Sequence, residues 1–246
     1  LLACIDKRFA RAIEDVAWVY SSKEQRSILG LAVVVLCWSN GERTVPLAIR
    51  IWKKNGKSKV ELAVDLLQWA KKFLKIKPRY VVFDSWYAAA EIMQTVAGLG
   101  WTWVSQLKCN RKLNGTPLRE LHRHPYWMAC GRLSGGHAVR VVRHGKKYFA
   151  TSNVVWSKAD ILTAYRTRWP IETMFRVLHG ALGADECQAR SIEAQSAHLH
   201  LCLMAYTLLE QEQYFTRKTI YALRREYRFS PAKADALITK LIFQGA

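Results

Sequence analysis

Acidic residues are scarce in this chain: 19 Asp plus Glu stand against 38 Lys plus Arg, leaving a formal charge of +19 on 246 residues. The excess is spread through Lys53 to Lys59, Lys71 to Lys77, Lys108 to Lys112, Arg140 to Lys147 and Arg217 to Arg228. Dispersed basic segments on a packed core point to a polyanion lying across a broad surface, most commonly nucleic acid. No apolar run approaches the roughly 20 residues of a spanning helix, so no membrane partner is expected. A secretory signal is also lacking. The six cysteines (Cys4, Cys37, Cys109, Cys130, Cys187 and Cys202) include no CxxC pair, which argues against a zinc site and a disulfide framework. They read as reduced core residues of a cytoplasmic protein. His122 with His124 and His198 with His200 form HxH pairs, but a spacing of two sends side chains to different faces of a helix. Ordinary surface or core histidines are expected there. The chain opens LLACID without a methionine and reads as a fragment cut close to, or inside, its first strand.

Half of the residues are apolar, enough for one sizeable core, so residues 1–246 are expected to form one domain carrying an insertion. SILGLAVVVLCW at 27–38 and the segment at 43–51, separated by Asn40 and Gly41, predict a buried hairpin. Apolar residues recur at a helical period between Lys57 and Lys75. YVVFD predicts a short central strand ending on Asp84, followed by a helix over WYAAAEIMQTVAGLG and a strand over WTWVSQLK. This order describes an α/β layered core, in which acids at strand ends face the crevice where ligands bind. The glycine-rich, basic segment at about 108–155 reads as a β-rich insertion. From about 157 to 246 the pattern is helical, with Ser157 as an N-cap. Pro170 disfavours helical geometry at Trp169 and is suited to start a new helix carrying Glu172.

The stretch YRTRWPIETMFRVLH, Tyr165 to His179, sets Glu172 among Tyr165, Arg168, Trp169 and Arg176. Residues 168, 172, 176 and 179 recur at helical steps, so on a helix they would share a face. An acid among basic and aromatic groups fits a site for a metal ion and a phosphate, and an amphipathic helix with a solvated stripe fits the same spacing. Asp84, likewise, is either a ligand or a turn residue closing a strand. Together Asp84 and Glu172 offer hard oxygens suited to magnesium or manganese, and two such ions support in-line phosphoryl displacement.

FDSWYAAAEI, QLKCNRKLNG, YRTRWPIETMFRVLH, KRFARAIEDVAWVYSS and ECQARS together resemble transposases of bacterial insertion sequences of the insertion sequence 4 type, over essentially the whole chain. The family's motif reads Tyr, two residues, Arg, three residues, Glu, six residues, Lys. Tyr165, Arg168 and Glu172 meet it, and His179 stands where the Lys belongs.

The resemblance implies an α/β, RNase H-like mixed sheet flanked by helices, with a β-rich insertion before the helix of the catalytic Glu. It implies an Asp, Asp, Glu triad holding Mg2+ or Mn2+, with Asp84 as second Asp and Glu172 as Glu. The first Asp falls at Leu1 or Leu2: it lies upstream, is lost, or is replaced by Asp6. Tyr165 and Arg168 would hold phosphates, joined by Arg176 and His179, and His179 would make a weaker, pH-dependent contact than Lys. Trp169 would stack on an unpaired base or pack in the core. The implied activity is cleavage and strand transfer by a cut-and-paste route. Its partners would be terminal inverted repeats and target DNA, bound by a homodimer in a synaptic complex in the bacterial cytoplasm. The alternatives are a DNA-binding remnant without catalysis and a nuclease of the same fold without strand transfer.

Overall fold

An apolar, β-branched run between Arg26 and Ser39 makes the longest strand of the protein. A computed structural model of the chain describes residues 2–8, 12–21, 24–121 and 127–243. His122 and His124 lie outside these residues. The chain divides into two compact units, one of Leu1–Ala10 with Asp15–Glu172, the other of Arg11–Glu14 with Thr173–Ala246.

In the first unit β1 (Leu2–Asp6), β2 (Ala17–Ser21), β3 (Arg26–Ser39) and β4 (Thr44–Ile51) form a four-stranded antiparallel sheet in which every other strand pairs with β3. Leu31 to Val35 are buried in succession, as in a strand covered on both faces. The expected hairpin is present. Asn40 Oδ1 accepts from the amides of Glu42 and Arg43 at 3.1 and 2.8 Å, and Gly41 takes a positive φ of 99°. Gly30 lies opposite Asp6, and a Cβ there would meet the Ile5 carbonyl oxygen at 2.6 Å, so glycine permits the close approach of β1.

A reciprocal Ser58–Glu61 cap starts α1 (Lys59–Trp69), which runs on into a wider turn at Ala70–Leu74. The parallel pair β5 (Val81–Phe83) and β6 (Trp103–Leu107) is linked through α2 (Ala90–Gly98). Beyond a small hairpin of β7 (Lys112–Leu113) and β8 (Thr116–Pro117), three antiparallel strands follow: β9 (Met128–Arg132), β10 (Ala138–His144) and β11 (Lys147–Thr151). They extend the β5–β6 pair into a mixed five-stranded sheet of order β5-β6-β11-β10-β9. Here the sequence expectation is corrected: β5 is an end strand, because β11 pairs with β6 and the sheet grows away from β5.

Side-chain alternation gives this sheet two covered faces. Phe83, Trp103, Leu107, Val141 and Tyr148 pack with Leu66 and Leu67 of α1 and Ile92, Met93 and Val96 of α2. Val104, Val142 and Phe149 pack on the other side with Ile161 and Ala164 of α3 (Lys158–Arg166). Ser157 caps α3 as expected, with Oγ accepting from Asp160 N at 3.2 Å. The first unit is therefore a mixed sheet flanked by helices.

Helix α4 (Pro170–Gly180) starts at the proline, as its fixed φ favours, and runs from the first unit into the second. The second unit continues with α5 (Ile192–Thr216), α6 (Ile220–Arg228) and α7 (Pro231–Phe243). Glu14 belongs to it, with its amide on the Arg190 carbonyl and its carboxylate on the Ile192 amide, both at 3.0 Å. Among the described residues no helix is long and apolar enough to cross a membrane. Of the six cysteines only Cys202 is buried; Cys4, Cys37 and Cys187 are partly buried, and Cys109 and Cys130 are exposed rather than in the core. On α5, His198 Nε2 meets the Gly183 carbonyl at 2.9 Å and His200 Nδ1 meets the Ser196 carbonyl at 2.7 Å, so each ring is engaged separately.

Candidate active site

Asp84 follows directly on β5, at its carboxyl end. Its Oδ1 accepts from the amides of Trp86 at 2.9 Å and Tyr87 at 3.2 Å. These bonds form an Asx turn that holds residues 85–87 out of helical geometry. For that reason α2 begins at Ala90, not at Trp86 as the sequence suggested. Asp84 Oδ2 takes no hydrogen bond among the described residues and is open to a cation.

Tyr165 sits near the end of α3, its ring 4.8 Å from that of Phe149 and its hydroxyl donating to Gln106 Oε1 at 3.4 Å. Burial pushes the phenol's pKa up, Arg168 pulls it down, and the charges of Asp84 and Glu172 both push it up. Tyr165 is thus the point on which both carboxylates and the guanidinium act.

Arg168 lies in the short link between α3 and α4, where hydrogen bonds from each amide to the carbonyl three residues back carry the chain past Pro170. The amides of Arg168, Trp169, Ile171 and Glu172 bond the carbonyls of Tyr165, Arg166, Arg168 and Trp169 at 2.9 to 3.3 Å. This course brings Arg168 Nη2 to Glu172 Oε1 at 2.5 Å and its guanidinium to 5.6 Å from the Tyr165 ring. Burial opposes the Arg168 charge, and the bond to Glu172 with the field of Tyr165 and Glu172 outweighs it, leaving its pKa raised. Arg168 Nε is buried without a partner among the described residues. Glu172 stands in the first turn of α4, where the helix dipole favours an anion, and its Oε2 is not hydrogen-bonded among the described residues.

The remaining candidates are placed differently. Trp169 is 59% exposed, which removes it from the core. Arg176 and His179 belong to the second unit, where Arg176 is exposed and His179 Nδ1 lies 3.8 Å from Asp185 Oδ2. Asp6 ends β1 with both oxygens engaged by Arg8, whose amide donates to Oδ1 at 2.9 Å and whose Nε donates to Oδ2 at 2.8 Å. Arg8 Nη2 adds a bond to Oδ2 at 2.5 Å.

Magnesium and manganese take hard oxygens, often one or two carboxylates with water and phosphate oxygens completing the shell. The free oxygens of Asp84 and Glu172 are donors of that kind. Among the described residues no three His, Cys, Asp or Glu side chains group as a metal cage, so Asp6 does not join them in one.

Two open clefts share Ser85, the residue after Asp84. One is lined by Trp86, Lys108, Arg111 and Lys112, the other by Lys108, Arg119, Lys146 and Lys147. The basic runs at 108–112 and 140–147 were legible signals for these walls, whereas nothing in the sequence singled out Arg119. Arg140 and Arg143 are bound to the Trp156 and Gly145 carbonyls at 2.9 and 2.8 Å, which makes them structural as well as basic.

In fold, the chain is similar to the transposase in a cryo-EM structure described as a piggyBac transposase synaptic complex with hairpin DNA. The TM-score is 0.64 at 10% identity, covering 92% of this chain and 50% of that one. This chain therefore spans half the length of that protein. No curated protein matches it in sequence. Residues 2–208 match the family described as Transposase DDE domain, and the chain belongs to that family.

Proposed function

We propose that this transposase DDE domain is the RNase H-like catalytic domain of a DNA transposase of the insertion sequence 4 type, cleaving and joining strands by a cut-and-paste route. One observation carries the reading: Asp84 at the end of β5 and Glu172 in the first turn of α4 each keep a carboxylate oxygen without a hydrogen bond among the described residues, and Arg168 holds the other oxygen of Glu172. Asp84 at the strand end and Glu172 in the first turn of α4 would hold Mg2+ or Mn2+, as two ions when DNA supplies phosphate oxygens. When bound, the metal activates the attacking oxygen and stabilises charge on the leaving oxygen of an in-line displacement.

The chain's own groups do the positioning. Arg168 offers a planar fork to a phosphate oxygen, and the Tyr165 hydroxyl donates beside it. Engaging a phosphate releases Arg168 from Glu172, so the carboxylate turns from ion-pair partner to metal ligand. Lys108, Arg111, Lys146 and Lys147 line the approach to Asp84 and hold the backbone in register. Trp169 is exposed and available to stack on an unpaired base. Arg176 and His179 supply further phosphate contacts. In the first step water attacks phosphorus and the 3′ oxygen leaves. In the second, that 3′ hydroxyl attacks a target phosphate and displaces another 3′ oxygen. The bound form is a homodimer holding two terminal inverted repeats in the bacterial cytoplasm.

The test incubates the full-length protein with terminal-repeat DNA and Mg2+ and compares wild type with Glu172→Gln. Loss of cleavage in the variant is expected, and cleavage that survives overturns the role of Glu172. A second reading, a DNA-binding chain without catalysis, draws on the closed ion pair of Asp6 with Arg8 and the lack of a third grouped acid among the described residues. Wild type that binds terminal DNA but never cuts it would favour that reading. Cutting without a joined product would favour a nuclease.

A further inference from the structure

Helix α6 lies beyond residue 208, where the family match ends. It is amphipathic in an unusual sense: Ile220 and Leu223 are buried, and the opposite side is basic. At 3.6 residues per turn, Arg224, Arg228, Tyr221 and Arg225 fall within an arc of about 100°. All four are exposed. The only acid between Arg217 and Lys233 is Glu226, against six cations. It lies outside that arc and is taken by Lys218 at 2.6 Å and Lys233 at 2.7 Å. Those contacts hold its carboxyl at about 2, well below the ordinary range. The acid therefore neutralises two lysines and none of the arginines. Arg224 and Arg225 have no ion-pair partner among the described residues, and Arg228 only lies over the Phe229 ring, 5.8 Å from its centre. Arg217 stacks likewise on Tyr214 at 5.7 Å.

We infer that this face of α6 is a second DNA-binding surface, gripping the phosphate backbone of duplex DNA independently of the groups around Asp84 and Glu172. Three forked guanidiniums on adjacent helical turns, with a half-exposed tyrosine among them, match a row of phosphate oxygens in charge and donor geometry. Exposed guanidiniums of this kind supply the phosphate contacts that make up much of protein–DNA hydrogen bonding and of non-specific binding, so the contact assigned to the arc is with the backbone. The charge complementarity favours duplex DNA over an anionic bilayer, because the arc holds no aliphatic side chain to enter the acyl boundary. The inference rests on the DNA-acting reading of the chain but not on its catalytic residues.

The test measures binding of the full-length protein to a short random-sequence duplex across a salt series, without divalent metal. The triple variant Arg224→Glu, Arg225→Glu, Arg228→Glu is expected to lose more than tenfold in affinity. Loss of three phosphate contacts also makes the slope of log affinity against log salt shallower by about 2.7. The triple Lys variant, which keeps the charges, should retain most of the slope and shows that folding is not at issue. The measurement holds no divalent metal and reads binding alone, so failure of the catalytic reading, which is seen in the cleavage assay, is distinguished from failure of this one. An unchanged slope in the Glu triple variant overturns the inference. Binding to phosphatidylserine vesicles that depends on these arginines, with duplex binding that does not, overturns it equally.

Discussion

Asp6 and Asp84 both close strands of the first unit, and they differ in what their oxygens already hold. Asp84 spends Oδ1 on two turn amides and keeps Oδ2 open, whereas Asp6 gives both oxygens to Arg8. Backbone amides fix a carboxylate without neutralising it, while a guanidinium within the same turn does both. A strand-end aspartate is therefore a ligand or a structural clamp according to its nearest donors. Glu172 sits between these cases, with one oxygen on Arg168 and one free.

The contrast is broken or sharpened by substitution. The largest effect is expected from Asp84→Asn, which keeps the turn bonds but removes the charge, and metal-dependent cleavage should fall more than about 100-fold in a gel assay. Arg168→Lys keeps a cation without the fork. A lost charged hydrogen bond of about 2 kcal/mol corresponds to about a 30-fold slower cut, with metal affinity little changed. Gly30→Ala forces a methyl against the Ile5 carbonyl, and chemical denaturation should show a loss of about 2 kcal/mol. Asp6→Asn should leave the cleavage rate within about twofold, since an ion pair at the surface contributes little. A large loss there would make Asp6 a ligand after all.

The smallest effect concerns pH, outside both strand ends. The Glu226 carboxyl is held at about 2 by Lys218 and Lys233. Its folded value lies below its unfolded one, so its stabilisation is fully present above about pH 4.5 and is lost as pH falls toward 2. Glu226→Gln should remove that acid-dependent part of the melting curve, and salt should weaken it in wild type.

Local signals in the sequence translated well. Asn40–Gly41 gave its hairpin turn, Ser157 its capping box and Pro170 the start of α4, because each depends on bonds within a few residues. Legibility failed where partners are distant or compete. Pairing of β11 with β6, which leaves β5 at the edge, is a contact across more than 40 residues that no local pattern encodes. The late start of α2 comes from the Asp84 carboxylate capturing amides that a helix would otherwise use. Of the candidate site, Tyr165, Arg168 and Glu172 were legible as a cluster from spacing. The regular helix that spacing implied is interrupted at 167–169, and the cluster survives because the link itself is helical in course.

The central claim, that Asp84 and Glu172 hold the metal, is tested most directly by titrating Mn2+ into the full-length protein bound to terminal-repeat DNA and following free Mn2+ by electron paramagnetic resonance. Wild type and Asp6→Asn should bind alike, while Asp84→Asn and Glu172→Gln should each weaken binding at least tenfold. Undiminished Mn2+ binding in both of the latter variants would contradict the assignment.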